Sequence, residues 1–179
     1  GGAGAVGHYA LQMAGHFGAA RVITTVSNDA KAALARAAGA DDVVNYKTEP
    51  LVERVAELTR GQGVDRIIEL DLAANAAADL DMLKTGGECV AYGSGASPMS
   101  VPFYPLIVKN LQIKCFMVYH LSDADRARAE AALTRLLRTD ALQHHVAERL
   151  PLAQTALAHE RVESGQVVGN VVIGIDLAH

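Results

Sequence analysis

Short runs of β-branched residues alternate with alanine- and leucine-rich stretches along most of this 179-residue chain, and that alternation limits the possible folds more than any other feature. Strands joined by helical connections pair in parallel, because a tight hairpin cannot return the chain to the same end of a sheet. The runs RVITTV, DVVN, VDRIIEL, ECVAY and LQIKCFMV predict strands at 21–26, 42–45, 64–70, 88–92 and 111–118. Helices are expected over 6–17, 28–38, 50–59 and 74–83. Gly18, Gly39 and the pair Gly86-Gly87 follow these helices, where a left-handed residue ends a helix without a Cβ penalty.

Beyond the fifth strand the pattern loosens. SGASPMSVPFYP, residues 94–105, contains Pro98, Pro102 and Pro105 and predicts an irregular crossing loop bordering a site. Ser122 stands three residues before Asp125, a capping-box-like start for a helix to residue 139 with Ala132, Leu133, Leu136 and Leu137 on one face. A helix at 152–164 and a last strand at 170–175 complete the reading.

Sixteen Lys and Arg against twenty Asp and Glu give a net charge of −4 with no basic run, so nucleic acid and anionic membrane surfaces are not expected partners. No stretch reaches the ~18 apolar residues of a membrane span. Cys89 and Cys115 both lie in apolar segments, which suits buried, reduced thiols in a cytoplasmic protein.

The chain opens GGAGAVGHYALQMA, where Gly2, Gly4 and Gly7 satisfy G-x-G-x-x-G. That spacing serves a tight turn, close approach of backbone to a pyrophosphate, and close helix packing, while the helix that follows offers free N–H groups to phosphate. By itself the motif is equally a flexible glycine terminus; the helix and the strand after it favour a dinucleotide loop. The expected fold is therefore α/β, a Rossmann-type doubly wound parallel sheet lacking its first strand, the one that normally precedes the loop. In NAD sites an acidic residue ends the second strand. Here Val26 and Ser27 hold that place and Asp29 comes late, so the Ser27 hydroxyl and the Lys31 cation favour NADP(H), although Lys31 also fits an ordinary solvated helix lysine. Tyr46, closing the next strand, is placed either against the adenosine phosphate or as a half-buried aromatic.

GGAGAVGHYALQMA, VITTVSNDAKAALARAAGADDVVNYKTE, LKTGGECVAYGS and VESGQVVGNVVI together resemble the cofactor-binding part of the medium-chain dehydrogenase/reductase superfamily, in its zeta-crystallin-like NADPH:quinone oxidoreductase branch. The resemblance spans nearly the whole chain. It implies zinc-independent hydride transfer from NADPH to a quinone or similar electron-poor carbonyl acceptor, with Gly2, Gly4, Ala5, Val6 and Gly7 at the pyrophosphate and Ser27, Lys31 and Tyr46 around the 2′-phosphate. It also implies Gly93 and Ser94 beside the nicotinamide ribose, Phe116 and Val118 (within 116–119) along the nicotinamide, Asn170 near the cofactor, and a homodimer through strand 111–118. Residues 1–179 would form one NADP-binding domain of a two-domain reductase, with about 140–179 assignable to the substrate domain, which is expected outside this chain. An enoyl reductase, a zinc alcohol dehydrogenase of the superfamily, and a non-catalytic nucleotide-binding or dimerising module are the alternatives.

Other constellations carry less. His144-His145 has no neighbouring cluster to complete a zinc site, so no metal is expected. His120 is either a proton donor near the nicotinamide or a loop histidine, and Ser94 lacks the G-x-S-x-G spacing of a hydrolase nucleophile. Glu69 and Asp71 would share one strand face, and their roles stay open.

Overall fold

The computed structural model describes residues 1–165 and 167–175. It divides into two compact units, residues 1–48 with 135–179 and residues 49–134. The architecture is α/β with Rossmann-like parallel pairing in every sheet.

In the first unit, α1 (Ala5–His16) leads to β1 (Ile23–Val26), α2 (Asp29–Ala37) and β2 (Asp42–Asn45). β1 and β2 pair in parallel, Ile23 opposite Asp42 through Val26 opposite Asn45. Val26 and Val44 are buried, and Leu11, Ala32, Ala35 and Ala38 pack the two helices into the same core; small alanines let α2 lie close to the strands. Asn28 caps α2, its Oδ1 accepting the Lys31 amide at 2.9 Å. Asn28→Ala is expected to cost about 1 kcal/mol, read as a lowered midpoint in urea denaturation. Later in the chain, β6 (Val146–Pro151), α7 (Thr155–Glu163) and β7 (Asn170–Gly174) form a second strand-helix-strand turn, with β6 and β7 parallel.

In the second unit, α3 (Leu51–Leu58), β3 (Val64–Glu69), α4 (Leu72–Met82), β4 (Leu83–Ala91), α5 (Phe103–Val108) and β5 (Gln112–Cys115) give a parallel sheet in the order β3-β4-β5. Leu72, Ala76 and Leu80 of α4 pack on Leu83, Cys89 and Ala91 of β4. A 3-10 turn at Val118–His120 precedes α6 (Asp123–Arg138), which starts as its sequence predicts, with the Asp125 amide donating to Ser122 Oγ at 3.1 Å.

Several expectations need correction. Strand 111–118 ends at Cys115: the Phe116 amide still donates to Ala91 O, but the chain then turns, His120 N reaching Met117 O at 2.9 Å, so Val118 is not in a strand. Cys115 is exposed: it is the last residue of β5, which among the described residues is the edge strand of its sheet. The crossing loop expected over 94–105 holds as far as Pro102 and its last three residues enter α5, since Pro105 falls in the first turn, where its missing N–H has no intrahelical acceptor to lose. Gly86 and Gly87 do not end a helix. Val64 pairs with Leu83 and Arg66 with Glu88, so residues 84–87 bulge out of β4. Strand β6 was hidden by the adjacent charges Glu148 and Arg149 at its centre and by its terminal Pro151, which break the apolar run that marks the other strands.

Candidate functional site

The three glycines of the opening loop do different things. Gly2 N donates to Thr25 O at 3.0 Å, and the Gly1 amino group to Thr25 Oγ1 at 2.9 Å. Val26 O accepts Tyr46 N from the β2 side; carbonyls alternate along a strand, so Thr25 O faces the opposite edge of β1, and the loop lies there. A Cβ on Gly7 would fall on Gly1 O, and one on Gly2 would fall on Thr24 Oγ1 with Leu11 Cδ1 2.9 Å away. Gly4 meets only Gly1 O, at 3.3 Å, leaving its outer side open to a ligand.

Gly4 begins α1 with no side-chain cap, and the first turn contains no acidic residue. The Ala5 and Val6 amides therefore have no intrahelical acceptor and stand at the positive end of the helix dipole, a setting that favours an anion.

Two cations, Lys31 and Lys47, lie close after the ends of β1 and β2. Ser27 follows β1, no carboxylate ends that strand, and Asp29 is the first residue of α2. Lys31 lies in the first turn of α2 and is partly buried. Tyr46 follows β2 with half of its surface exposed, and the Lys47 ammonium stands 5.3 Å from its ring centroid. Lys47 is the residue that sequence reasoning passed over; its signal was a cation immediately after the aromatic.

Asn170 opens β7, and both its N–H and its Nδ2 donate to His145 O, at 2.9 and 3.3 Å. Gly4, Ala5, His8, His145 and Asn170 share one cleft, so Asn170 lies beside the glycine loop. His8 and His145 were not read as site residues. His8 is buried, and its Nε2–H donates to Gln143 O at 2.9 Å, tying α1 to the segment before β6.

The remaining candidates belong to the second unit. Gly93 and Ser94 follow β4, as Phe116 and Val118 follow β5, at the strand ends where open parallel sheets bind ligands. A Cβ on Gly93 would fall on Leu70 O. Leu72 N donates to Gly93 O at 3.2 Å, Gly95 N to Asp71 Oδ1 at 2.7 Å, and Ser94 Oγ to Ala96 O at 2.9 Å. Phe116 and Val118 are each about half exposed.

Beneath that segment lies a carboxyl pair. Burial pushes the Asp79 carboxyl up to about 7, aided by the charge of Glu69 and a hydrogen bond with it. Burial also raises the Cys89 thiol to about 12, with the Asp79 charge adding to the effect; Cys89 Sγ lies 4.0 Å from Asp79 Oδ2. Among the described residues, no group of three or more His, Cys, Asp and Glu side chains is placed to hold a metal ion. Among the described residues, no helix is long and apolar enough to cross a membrane.

The parallel αβ units and the glycine loop at a helix N-terminus define the class as a Rossmann-type nucleotide-binding fold, and its relatives place it in the cofactor-binding portion of the medium-chain dehydrogenase/reductase superfamily. Residues 5–137 match the zinc-binding dehydrogenase family, and the chain belongs to it. The chain is similar to a 2-haloacrylate reductase of a Burkholderia species, 31% identical over 96% of this chain and 53% of the relative. It is also similar to a quinone oxidoreductase of Salmonella typhimurium, 30% identical over 96% of this chain and 54% of the relative. Among solved structures it resembles a mycobacterial protein in complex with NADPH, with a TM-score of 0.81 and 32% identity over 96% of this chain and 55% of that one. The chain thus spans about half the length of these relatives, which include oxidoreductases.

Proposed function

We propose that this chain is the cofactor-binding part of an oxidoreductase that uses NADPH to reduce a quinone or a similar electron-poor carbonyl compound. The observation that carries the choice of NADPH is the end of β1, where Ser27 stands, Lys31 follows in the first turn of α2 and no strand-end carboxylate would repel a 2′-phosphate; Lys47, after the neighbouring β2, adds a second cation. The complex of a relative with NADPH supports the same reading.

The cofactor supplies the hydride. The chain's own residues bind and orient: Gly2, Gly4 and Gly7 shape the loop, and the Ala5 and Val6 amides take the pyrophosphate. Ser27, Lys31, Tyr46 and Lys47 take the adenosine phosphate, with Asn170 beside the loop; Gly93 and Ser94 receive the nicotinamide ribose, and Phe116 and Val118 shield the ring from water. The described residues do not fit a zinc site, and no step is assigned to one. The open edge of β5 suits pairing with a second copy, and the two free thiols suit the cytoplasm. Residues from about 140 onward would accompany the substrate domain of the full protein.

Titration of the full-length protein with NADPH and NADH by fluorescence tests this reading. NADPH is expected to bind at least ~10-fold more tightly, and Ser27→Asp to remove most of that preference by placing a negative charge at the 2′-phosphate. Preference for NADH, or binding of neither, would overturn it.

A further inference from the structure

We propose that Glu69 and Asp71 are positioning residues for the segment carrying Gly93 and Ser94, and that their hold depends on the buried Asp79 carboxyl packed against Glu69. The effect on cofactor affinity rests on the function proposed above; the effect on the segment itself does not.

The turn after β3 is laced to the segment after β4 at successive points. Tyr92 N donates to Glu69 O at 3.1 Å, Leu72 N to Gly93 O, and Gly95 N to the Asp71 carboxylate, while Gly93 lies so close to Leu70 O that no side chain fits between them. Asp71 is itself anchored. Glu69 Oε1 accepts the Asp71 amide at 2.5 Å and Asn75 Nδ2 at 3.0 Å.

Glu69 Oε1 is occupied by two N–H donors, so no proton sits on that oxygen. Asp79, 3% exposed on α4, carries the proton and donates it to Glu69. The groups facing this pair are Cys89 from β4, with Cys115 of β5 acting on that thiol, and Tyr92 from the end of β4; among the described residues no Lys or Arg acts on Asp79. Lys109, which meets the same helix, gives its ammonium to Leu80 O, Asp81 O and Leu83 O at 2.8–3.1 Å.

Removal of the Asp79 proton leaves two carboxylates in contact with no cation to separate them. Glu69, the less buried of the two, can turn toward water, and in doing so it releases the Asp71 amide and Asn75. Asp71 then loses the anchor that holds its carboxylate under Gly95. Above neutral pH the Gly93–Gly95 backbone loosens, and a cofactor that needs it fixed binds more weakly.

The test uses the full-length protein. NADPH affinity and exchange of the Gly95 amide are measured from about pH 6 to pH 9 for the wild type and for Asp79→Asn, which still donates to Glu69 and cannot ionise. The wild type is expected to lose about tenfold more affinity than Asp79→Asn across that range, and its Gly95 amide to exchange faster as the pH rises. Asp71→Ala is expected to raise KM for NADPH about tenfold, with kcat less affected, and to unprotect Gly95; Asp71→Asn, which keeps an acceptor oxygen, restores both. Parallel pH profiles for wild type and Asp79→Asn, or a protected Gly95 in Asp71→Ala, would overturn the proposal. If the wild type binds neither NADPH nor NADH, the proposed function falls while the Gly95 exchange profile still decides the positioning role.

Discussion

Gly7→Ala in the full-length protein is expected to weaken NADPH binding at least ~10-fold and to lower the thermal midpoint. Within a helix, alanine in place of glycine normally stabilises by about 1 kcal/mol, so the expected sign runs against propensity. The reason is local. Gly7 lies in the first turn of α1, and the missing Cβ would occupy the position of Gly1 O while lying 3.2 Å from Gly2 Cα. Both obstacles are backbone and cannot rotate away. Relief comes only if α1 moves off the loop, which redirects the Ala5 and Val6 amides and loosens the hydrogen bond from Gly2 N to Thr25 O. Calorimetric titration and circular dichroism melting read the two effects separately. A stabilised variant with unchanged affinity would show that loop and helix are not in close contact.

Asp79→Asn is expected to stabilise the protein at pH 8 and to flatten its stability profile between about pH 4 and pH 7. The sign follows from where the proton is held. The folded carboxyl titrates at about 7 against an ordinary value of 3.8, because it is buried beside Glu69. Below the ordinary value Asp79 is neutral in both folded and unfolded chains, and its contribution is fully present. As the pH rises, the unfolded chain releases the proton while the folded one keeps it, so stability falls until the folded carboxyl ionises near 7. Each pH unit in that window corresponds to at most about 1.4 kcal/mol. Asparagine does not titrate and can still donate to Glu69. Urea denaturation at pH 5, 6, 7 and 8 gives the difference between the two proteins, in which titrations common to both cancel. Curves that stay parallel over the whole range would show that Asp79 ionises as easily folded as unfolded.

The alternation of β1, α2 and β2 was legible because each element is short, strongly patterned and closed by its own signal: Asn28 caps α2, and Gly39, at φ +101°, ends it. The start of α6 was legible for the same reason, since Ser122 meets its own helix three residues on. Features that depend on distant partners were not. Residues 84–87 bulge because Glu88, and not Lys84, aligns with Arg66. Pro105 does not break α5 because it occupies the one turn that tolerates it. The exposure of Cys115 depends on β5 lying at a sheet edge, which its apolar neighbours in sequence do not reveal.

The candidate site divides in the same way. By itself the sequence determined the chemistry available at each strand end: glycines before α1, a strand end without a carboxylate at Ser27, a cation at Lys31, an aromatic at Tyr46. These are properties of residue type and spacing, set by backbone freedom and charge within a few positions. Only the tertiary structure decided which groups meet: Gly7 against Gly1 O, Lys47 over Tyr46, Asn170 beside Gly4, and Glu69 joined to Asp79 beneath Asp71 and Gly95. A carboxyl near the surface and a carboxyl in a core read identically in a sequence. Ten positions separate Glu69 from Asp79 along the chain, and the packing of α4 over β3 and β4 buries an ordinary acid beside Glu69, where it holds its proton toward neutral pH.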